Sequence, residues 1–321
     1  MVSVIIRRIF ITLPLLLVIT FFIFSLQELA PGDFLSRFRQ DPTISTELLH
    51  AYEKEFNLDK PFLIRFGSWC INALQGDFGY SFSYRMPVMI LIVSRLTNTL
   101  YLALASLLIA LVFGIPGGIT SAVYKNQMID KIIRFMSYVF MSIPSIFLAL
   151  VMIFIAARTQ IFPVGGVQSI NFETMNAWSK IKDLLWHLIL PASVLGVSAL
   201  AHYMRQTRAQ MLEVLNEDYI RVARAKGLHP AKIIGKHAFA NTLNSLITLV
   251  GYSLGFLLNG SFLVEIIMGW PGMARLTIDA LFNHDGPLLM ASCVVASCAL
   301  IMGNLIADIL LTLVDPRISI K

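Results

Sequence analysis

Six histidines are scattered along this 321-residue chain, at His50, His187, His202, His229, His237 and His284, and no two stand four residues apart. A helical zinc hydrolase needs two imidazoles one turn apart, and His-Glu-x-x-His does not occur. The single Gly-Lys pair, Gly235-Lys236, is followed by His237, and no glycine precedes it where a phosphate-cradling turn requires one. No nucleotide site is therefore expected in this chain. His284-Asp285 is a two-residue pair in a polar segment, which reads as solvent-facing. What remains are isolated polar groups in otherwise apolar stretches: Ser142, Ser145, Asn259, Ser261, Ser297 and Asn304. In lipid such groups line a passage or hydrogen-bond between helices. Asp308, one residue past the last such stretch and late in the last span, is the lone carboxylate placed within a span, which leaves an intramembrane aspartyl enzyme without its second acid.

The elements that position these groups are six runs without a formal charge: Ile9–Gln27, Leu96–Tyr124, Phe135–Ala157, Leu184–Met204, Ala238–Val264 and Gly286–Ala307. About 20 apolar residues cross the hydrocarbon as a helix. With 57% hydrophobic and 14% charged residues, the chain is too apolar for a soluble domain of its size. It reads as an all-α polytopic membrane protein with six transmembrane helices. The first run is long for a cleaved leader and lacks a small-x-small site after it, so it reads as a retained anchor. Pro14, Pro116, Pro144 and Pro191 permit bends in the spans.

Lysines and arginines set the sidedness. With a cytoplasmic N-terminus, the inner segments 1–8, 124–134, 205–237 and 315–321 hold 14 of the 25 basic residues in 59 positions. The outer segments 30–95, 158–183 and 265–285 hold 11 in 113 positions. That density difference follows the positive-inside rule and places both termini in the cytoplasm. The net charge of +6 is thus a topology signal, and nucleic-acid binding is not implied.

The segment 30–95 reads as a small helical region on the outer side. Ser45 caps a helix carrying Leu48, Leu49, Tyr52 and Phe56; a second opens at Pro61, presents Phe62, Phe66 and Trp69, and stops at Gly76. Between Arg85 and Arg95 only nine uncharged residues intervene, so the stretch from Pro87 is expected to lie at the interface before the second span. The inner segment 205–237 carries seven basic residues in 33 positions, long for a connector. It reads as helix, sharp turn, helix, with Gly227 taking a left-handed cap and Pro230 opening the next turn. A basic loop and a docking element for a cytosolic partner both fit it.

Paired Arg7-Arg8 and Pro31-Gly32-Asp33 are followed by Phe56-Asn57-Leu58-Asp59-Lys60-Pro61, Gly76-Asp77-Phe78-Gly79-Tyr80-Ser81 and Pro87-Val88. Then come Arg95-Leu96-Thr97-Asn98-Thr99-Leu100, Gly114-Ile115-Pro116-Gly117, Ser142-Ile143-Pro144 and Phe162-Pro163-Val164-Gly165-Gly166. Leu190-Pro191, Trp270-Pro271-Gly272 and Val314-Asp315-Pro316-Arg317-Ile318 close the series. In this order, nearly end to end, the chain resembles the inner-membrane permease subunits of peptide-type ABC importers, the dipeptide and oligopeptide "B" group.

The resemblance implies a type I ABC importer permease fold. It divides the chain into a tail and first span (1–29), an extracytoplasmic helical region (30–95), a permease core (96–314) containing a cytoplasmic coupling loop (205–237), and a cytoplasmic tail (315–321). It also implies a multi-pass protein of the bacterial inner membrane. Arg221, Ala223, Arg224, Ala225 and Gly227 then fall in the loop that docks on an ATPase subunit, although Arg221-Val222-Ala223 stands where the wider family has Glu-Ala-Ala. The family's proline past His237-Ala238 is replaced here by Asn244-Ser245, which leaves the start of the fifth span without its usual helix signal. The implied partners are a second permease, two ATPases that bind ATP and magnesium, an extracytoplasmic substrate-binding protein and the lipid bilayer; no cofactor is expected in this chain. The implied cargo is a dipeptide or oligopeptide, with nickel chelates, glutathione and antimicrobial peptides as alternatives in the same branch. A passive channel, which would need no ATPase dock, is the rival transport reading.

Overall fold

A computed structural model of the protein describes residues 2–29, 60–243, 245–247, 249, 250, 253 and 261–314. The expectations at Ser45 to Phe56, at Asn259, for the Asp308 side chain and for the tail 315–321 lie outside what is described. Helices dominate: α1 (Val2–Leu29), α2 (Phe62–Leu74), α3 (Val88–Val123), α4 (Met128–Ser142), α5 (Ser145–Thr159), α6 (Ala177–Leu215), α7 (Asp218–Ala225), α8 (Phe262–Ile267), α9 (Met273–Phe282) and α10 (Gly286–Val314). A two-stranded antiparallel ribbon, β1 (Tyr80–Ser81) with β2 (Met86–Pro87), pairs Tyr80 with Pro87 and Ser81 with Met86. Between α7 and α8 lie a turn at Pro230–Lys232, a π-helix at Ile233–Phe239 and further helix from residue 240.

Among the described residues, α1, α3, α6 and α10 contain segments long and apolar enough to cross a membrane, and α4 with α5 makes a fifth if the bent pair counts as one. The fifth uncharged run is described only in part. The third is cut: α4 and α5 meet at 95°. Pro144 disfavours the α-region for the residue before it, and Ile143 is extended at φ −83°, ψ 118°. A proline read from sequence as permitting a bend here divides the run into two helices of 15 residues each.

The stretch after Pro87 is continuous with the second span. It is the first two turns of the 36-residue α3. Val88, Leu91 and Ile92 are buried there with Met273, Leu276 and Ala280 of α9 and Leu288 and Ala291 of α10. Burying these side chains at about 25 cal/mol per Å² favours a helix that runs past Arg95 without a break. Counting charges alone misses this. By contrast α2 starts after Pro61 and ends before Gly76, at φ +82°, as its sequence signals indicate.

The described residues divide into two compact units, one drawn from 2–6, 98–271 and 300–314, the other from 7–97 and 272–299. In the second unit Phe21 and Phe24 of α1 pack edge-on to Phe62 and Phe66 of α2, and Arg65 pairs with Glu28. Asp285 caps α10 at Leu288 N and accepts from Ser81 Oγ (2.6 Å) and Ser83 N (3.0 Å), fixing the ribbon. In the first unit α3 and α6 cross closely at Gly114-x-x-x-Gly118. A Cβ on Gly118 would lie 2.5 Å from the Thr207 Cβ and 2.7 Å from the Met204 carbonyl. Small residues permit such close helix contact in membranes.

Candidate coupling and translocation sites

The inner end of the first unit is organised by α6, which continues 11 residues past Met204 to Leu215. Glu217 is the N-cap of α7, and Asp218 places an acid in its first turn, where the helix dipole favours negative charge. Ile220 and Ala223 turn inward and are buried with Met211 of α6, Ala122 of α3, and Ile233 and Ala238 of the π-helix. The helix ends in a Schellman arrangement: Leu228 N donates to Ala223 O (3.3 Å) and Gly227 N to Arg224 O (2.9 Å). This needs a left-handed residue, and Gly227 supplies it at φ +72°. Pro230 then opens the next turn, and His229 Nδ1 accepts from Ala231 N at 3.3 Å.

Of the five residues expected in the coupling element, the structure puts four on one exposed surface: Arg221, Arg224, Ala225 and Gly227. Ala223 is different, because it points into the seat and is 7% exposed. Tyr219 and Val222 join the outer face, at 42% and 52% exposure. Arg221 Nη1 donates to Asp218 Oδ1 at 3.0 Å. The outer face is therefore cationic with small and apolar residues between the charges, held by a buried inner face.

A second feature braces this end. Asp130, 0% exposed, accepts from Arg208 Nε (2.8 Å) and Nη2 (2.9 Å), from Ser121 Oγ (2.6 Å) and from Asn126 N (2.9 Å). The Arg208 guanidinium holds this carboxyl well below the usual carboxylate range despite the opposing effect of burial, with Ser121 and Asn126 assisting. One carboxylate thus ties α4, α6 and the end of α3 together. In the sequence Asp130 and Arg208 fall in the inner segments 124–134 and 205–237. Their positions 78 residues apart carry no spacing signal.

The expected translocation residues are dispersed. Ser142 is exposed and returns its hydroxyl to Tyr138 O (2.8 Å); Ser297 does the same to Cys293 O (2.9 Å). Ser145 is half-buried and Asn304 exposed. Among the described candidates, Ser261 alone enters a buried polar cluster. Its Oγ donates to Glu265 Oε1 (3.0 Å), which also accepts from Thr99 Oγ1 (2.7 Å). Beside it Trp270 Nε1 donates to Asn98 O (3.0 Å) and Asn98 Nδ2 to Pro271 O (2.9 Å). Glu265 is 0% exposed, yet it stands one residue beyond the fifth uncharged run, at the start of the outer segment 265–285. The i, i+4 spacing of Ser261 and Glu265 was the available signal. An open groove of about 520 Å³ lies elsewhere, lined by Met175, Ser179, Lys182, Asp183, Leu185, Trp186 and Ile189, and includes none of these residues.

The chain also contains Gly251-Tyr252-Ser253-Leu254-Gly255, a Gly-x-Ser-x-Gly pattern. Ser253 is helical, donates to Leu249 O (2.9 Å) and accepts from Tyr203 Oη (2.9 Å). A nucleophile elbow requires a strand-to-helix turn, so this serine is a helix-bridging group.

Comparison with known proteins agrees with this architecture. Residues 114–320 match the family described as "Binding-protein-dependent transport system inner membrane component". The chain is 40% identical over 321 residues to the oligopeptide transport system permease protein AppB of Bacillus subtilis, covering 99% of this chain and 100% of that protein. It is 32% identical over 323 residues to the glutathione transport system permease protein GsiC of Escherichia coli K12, covering 100% of both. Among solved structures, a chain of the MetNI methionine ABC transporter in inward facing conformations superposes with a TM-score of 0.57 at 19% identity. The match covers 71% of this chain and 97% of that one, and shows a shared fold.

Proposed function

We propose, for a chain that belongs to the binding-protein-dependent transport system inner membrane components and among them to the peptide-type ABC importer permeases, that it carries dipeptides and oligopeptides inward and takes its drive at α7. It is a membrane transport subunit and not an enzyme. The observation that carries the coupling reading is α7 itself: an eight-residue helix seated by Ile220 and Ala223, with Arg221, Arg224 and Ala225 presented outward. A short helix with a fixed cap and a cationic rim suits a groove on an ATPase subunit. ATP and magnesium are bound there, in two such subunits, each serving one of two permeases. Closure of the ATPases on ATP draws the two α7 helices together, and α6 and the fifth span convert that movement into alternating access. A binding protein delivers cargo on the opposite side, at 30–95 and 265–285. Both chain termini face the cytoplasm.

The peptide reading is favoured by a full-length relative named for oligopeptide transport at 40% identity. A glutathione-transport relative matches at 32% identity and full coverage, so glutathione, itself a short peptide, is the second cargo to test. The test is uptake of labelled dipeptides, oligopeptides and glutathione by a strain deleted for this chain and complemented with it. Affinity-tagged chain should also bring down ATPase subunits. Uptake restored for a di- or oligopeptide bears the reading out; restoration of glutathione alone replaces the cargo, and a chain that isolates without any ATPase refutes the coupled importer.

A further inference from the structure

The connection between α7 and the fifth span is not an ordinary helix start. Ile233–Phe239 is a seven-residue π-helix. Such segments are rare, since i→i+5 bonding leaves a poorly packed turn, and they concentrate at functional sites. Two side chains from the following helix reach back into it. Asn241 Nδ2 donates to His237 O at 2.8 Å, and Thr242 Oγ1 donates to Ala238 O at 3.0 Å. Asn241 Nδ2 also donates to Tyr219 Oη at 2.9 Å. Tyr219 lies in the first turn of α7. One amide therefore bridges the outward helix, the π turn and the span that follows. Among the described residues, Ile220 and Ala223 of α7 also pack with Ile233 and Ala238 in an apolar cluster. Apolar contacts tolerate sliding, whereas the hydrogen bond specifies a register.

We propose that Tyr219 is a positioning residue of the transport cycle: through Asn241 it holds the register of the π-helical segment, so that a displacement of α7 is passed to the fifth span. Loss of one residue of π register turns the following helix by about 100° and shifts it by about 1.5 Å. A side chain on a helix 10–12 Å across then moves by about 8 Å. This inference rests on the assignment of α7 as the ATPase dock, and the experiment separates the two.

The full transporter complex is prepared with Cys70, Cys293 and Cys298 replaced by serine. A first sample carries Ala225→Cys and is treated with a short bifunctional cross-linker. A second carries spin labels at Ala209→Cys and Ala240→Cys, and pulsed electron resonance measures their separation with and without ATP and vanadate. We expect an α7-to-ATPase cross-link and a nucleotide-driven distance change of several ångström, on the scale set by that register step. Tyr219→Phe and Asn241→Leu should each lose at least half of the change while the cross-link persists. The double variant should be no worse than either alone, as expected of two residues acting through one bond. A full distance change in both single variants, or additive losses in the double, overturns the latch and leaves the dock standing. Failure of Ala225→Cys to cross-link in the otherwise unmodified complex overturns the dock, and the latch with it.

Discussion

Gly227 offers the sharpest single-site perturbation. At φ +72° it stands in the left-handed region, and a Cβ placed there would meet nothing within 4 Å. Any loss on substitution is therefore backbone strain rather than a clash. A residue with a Cβ costs roughly 1–2 kcal/mol in this conformation. Asn is the best tolerated and a β-branched residue the worst. If the chain relaxes instead, it gives up Leu228 N to Ala223 O and Gly227 N to Arg224 O, worth about 0.5–1.5 kcal/mol each. An eight-residue helix has little reserve, because isolated helices shorter than about 12–15 residues are marginal in water. Each 1.4 kcal/mol lowers the seated population about tenfold. Gly227→Asn should therefore transport close to wild type, Gly227→Ala about tenfold less, and Gly227→Val not at all. Membrane abundance should stay level across the series. The assay is uptake of labelled peptide per unit of permease in the membrane, with ATPase retention measured in parallel. Wild-type uptake by Gly227→Val, or equal loss in Asn and Val, would refute the reasoning, the second by pointing to lost contact rather than strain.

Other expectations follow from the buried polar groups and the close helix crossing. Asp130→Ala strands Arg208 in the brace between α4 and α6 and should lower stability by about 3 kcal/mol, read as a fall in the melting temperature of the purified protein. Because the folded pKa of Asp130 is depressed, its contribution is complete above the ordinary carboxylate pKa of 3.8 and is lost as the pH falls below it. The melting-temperature gap between wild type and Asp130→Asn should thus hold from neutrality to about pH 5 and narrow under more acid conditions. Glu265→Leu removes the acceptor of Thr99 and Ser261 and should cost about 1–3 kcal/mol by the same measurement, with Glu265→Gln milder. Gly118→Val must push α3 off Thr207 and the Met204 carbonyl, so a loss of about 1–3 kcal/mol or failure to accumulate is expected on immunoblots.

Residues governed by local backbone rules were legible in the sequence. Pro61 and Gly76 bound α2, and Gly227 and Pro230 shape the turn after α7, because proline and glycine act on their own φ and ψ. The membrane class was legible for a similar reason, since charge-free length is a property of the chain itself. What stayed hidden depends on partners distant in sequence. Nothing near Asp130 announces Arg208, and nothing near Arg95 shows that α3 begins about two turns earlier against α9 and α10. The 95° corner at Pro144 lay inside a run whose composition favours an unbroken span, so its place was visible and its size was not. Among the path candidates, Ser261 is set apart by Glu265 four residues on, whereas Ser142 and Ser297 have no such partner and bond carbonyls of their own helix.

Coupling to a cytosolic ATPase depends first on the location of α7. With the native cysteines replaced by serine, a single cysteine at Lys226 should escape a membrane-impermeant maleimide in sealed cells and react with it in inverted vesicles. Labelling in sealed cells would place α7 on the wrong side of the membrane for any cytosolic ATPase, and the coupling scheme would fall.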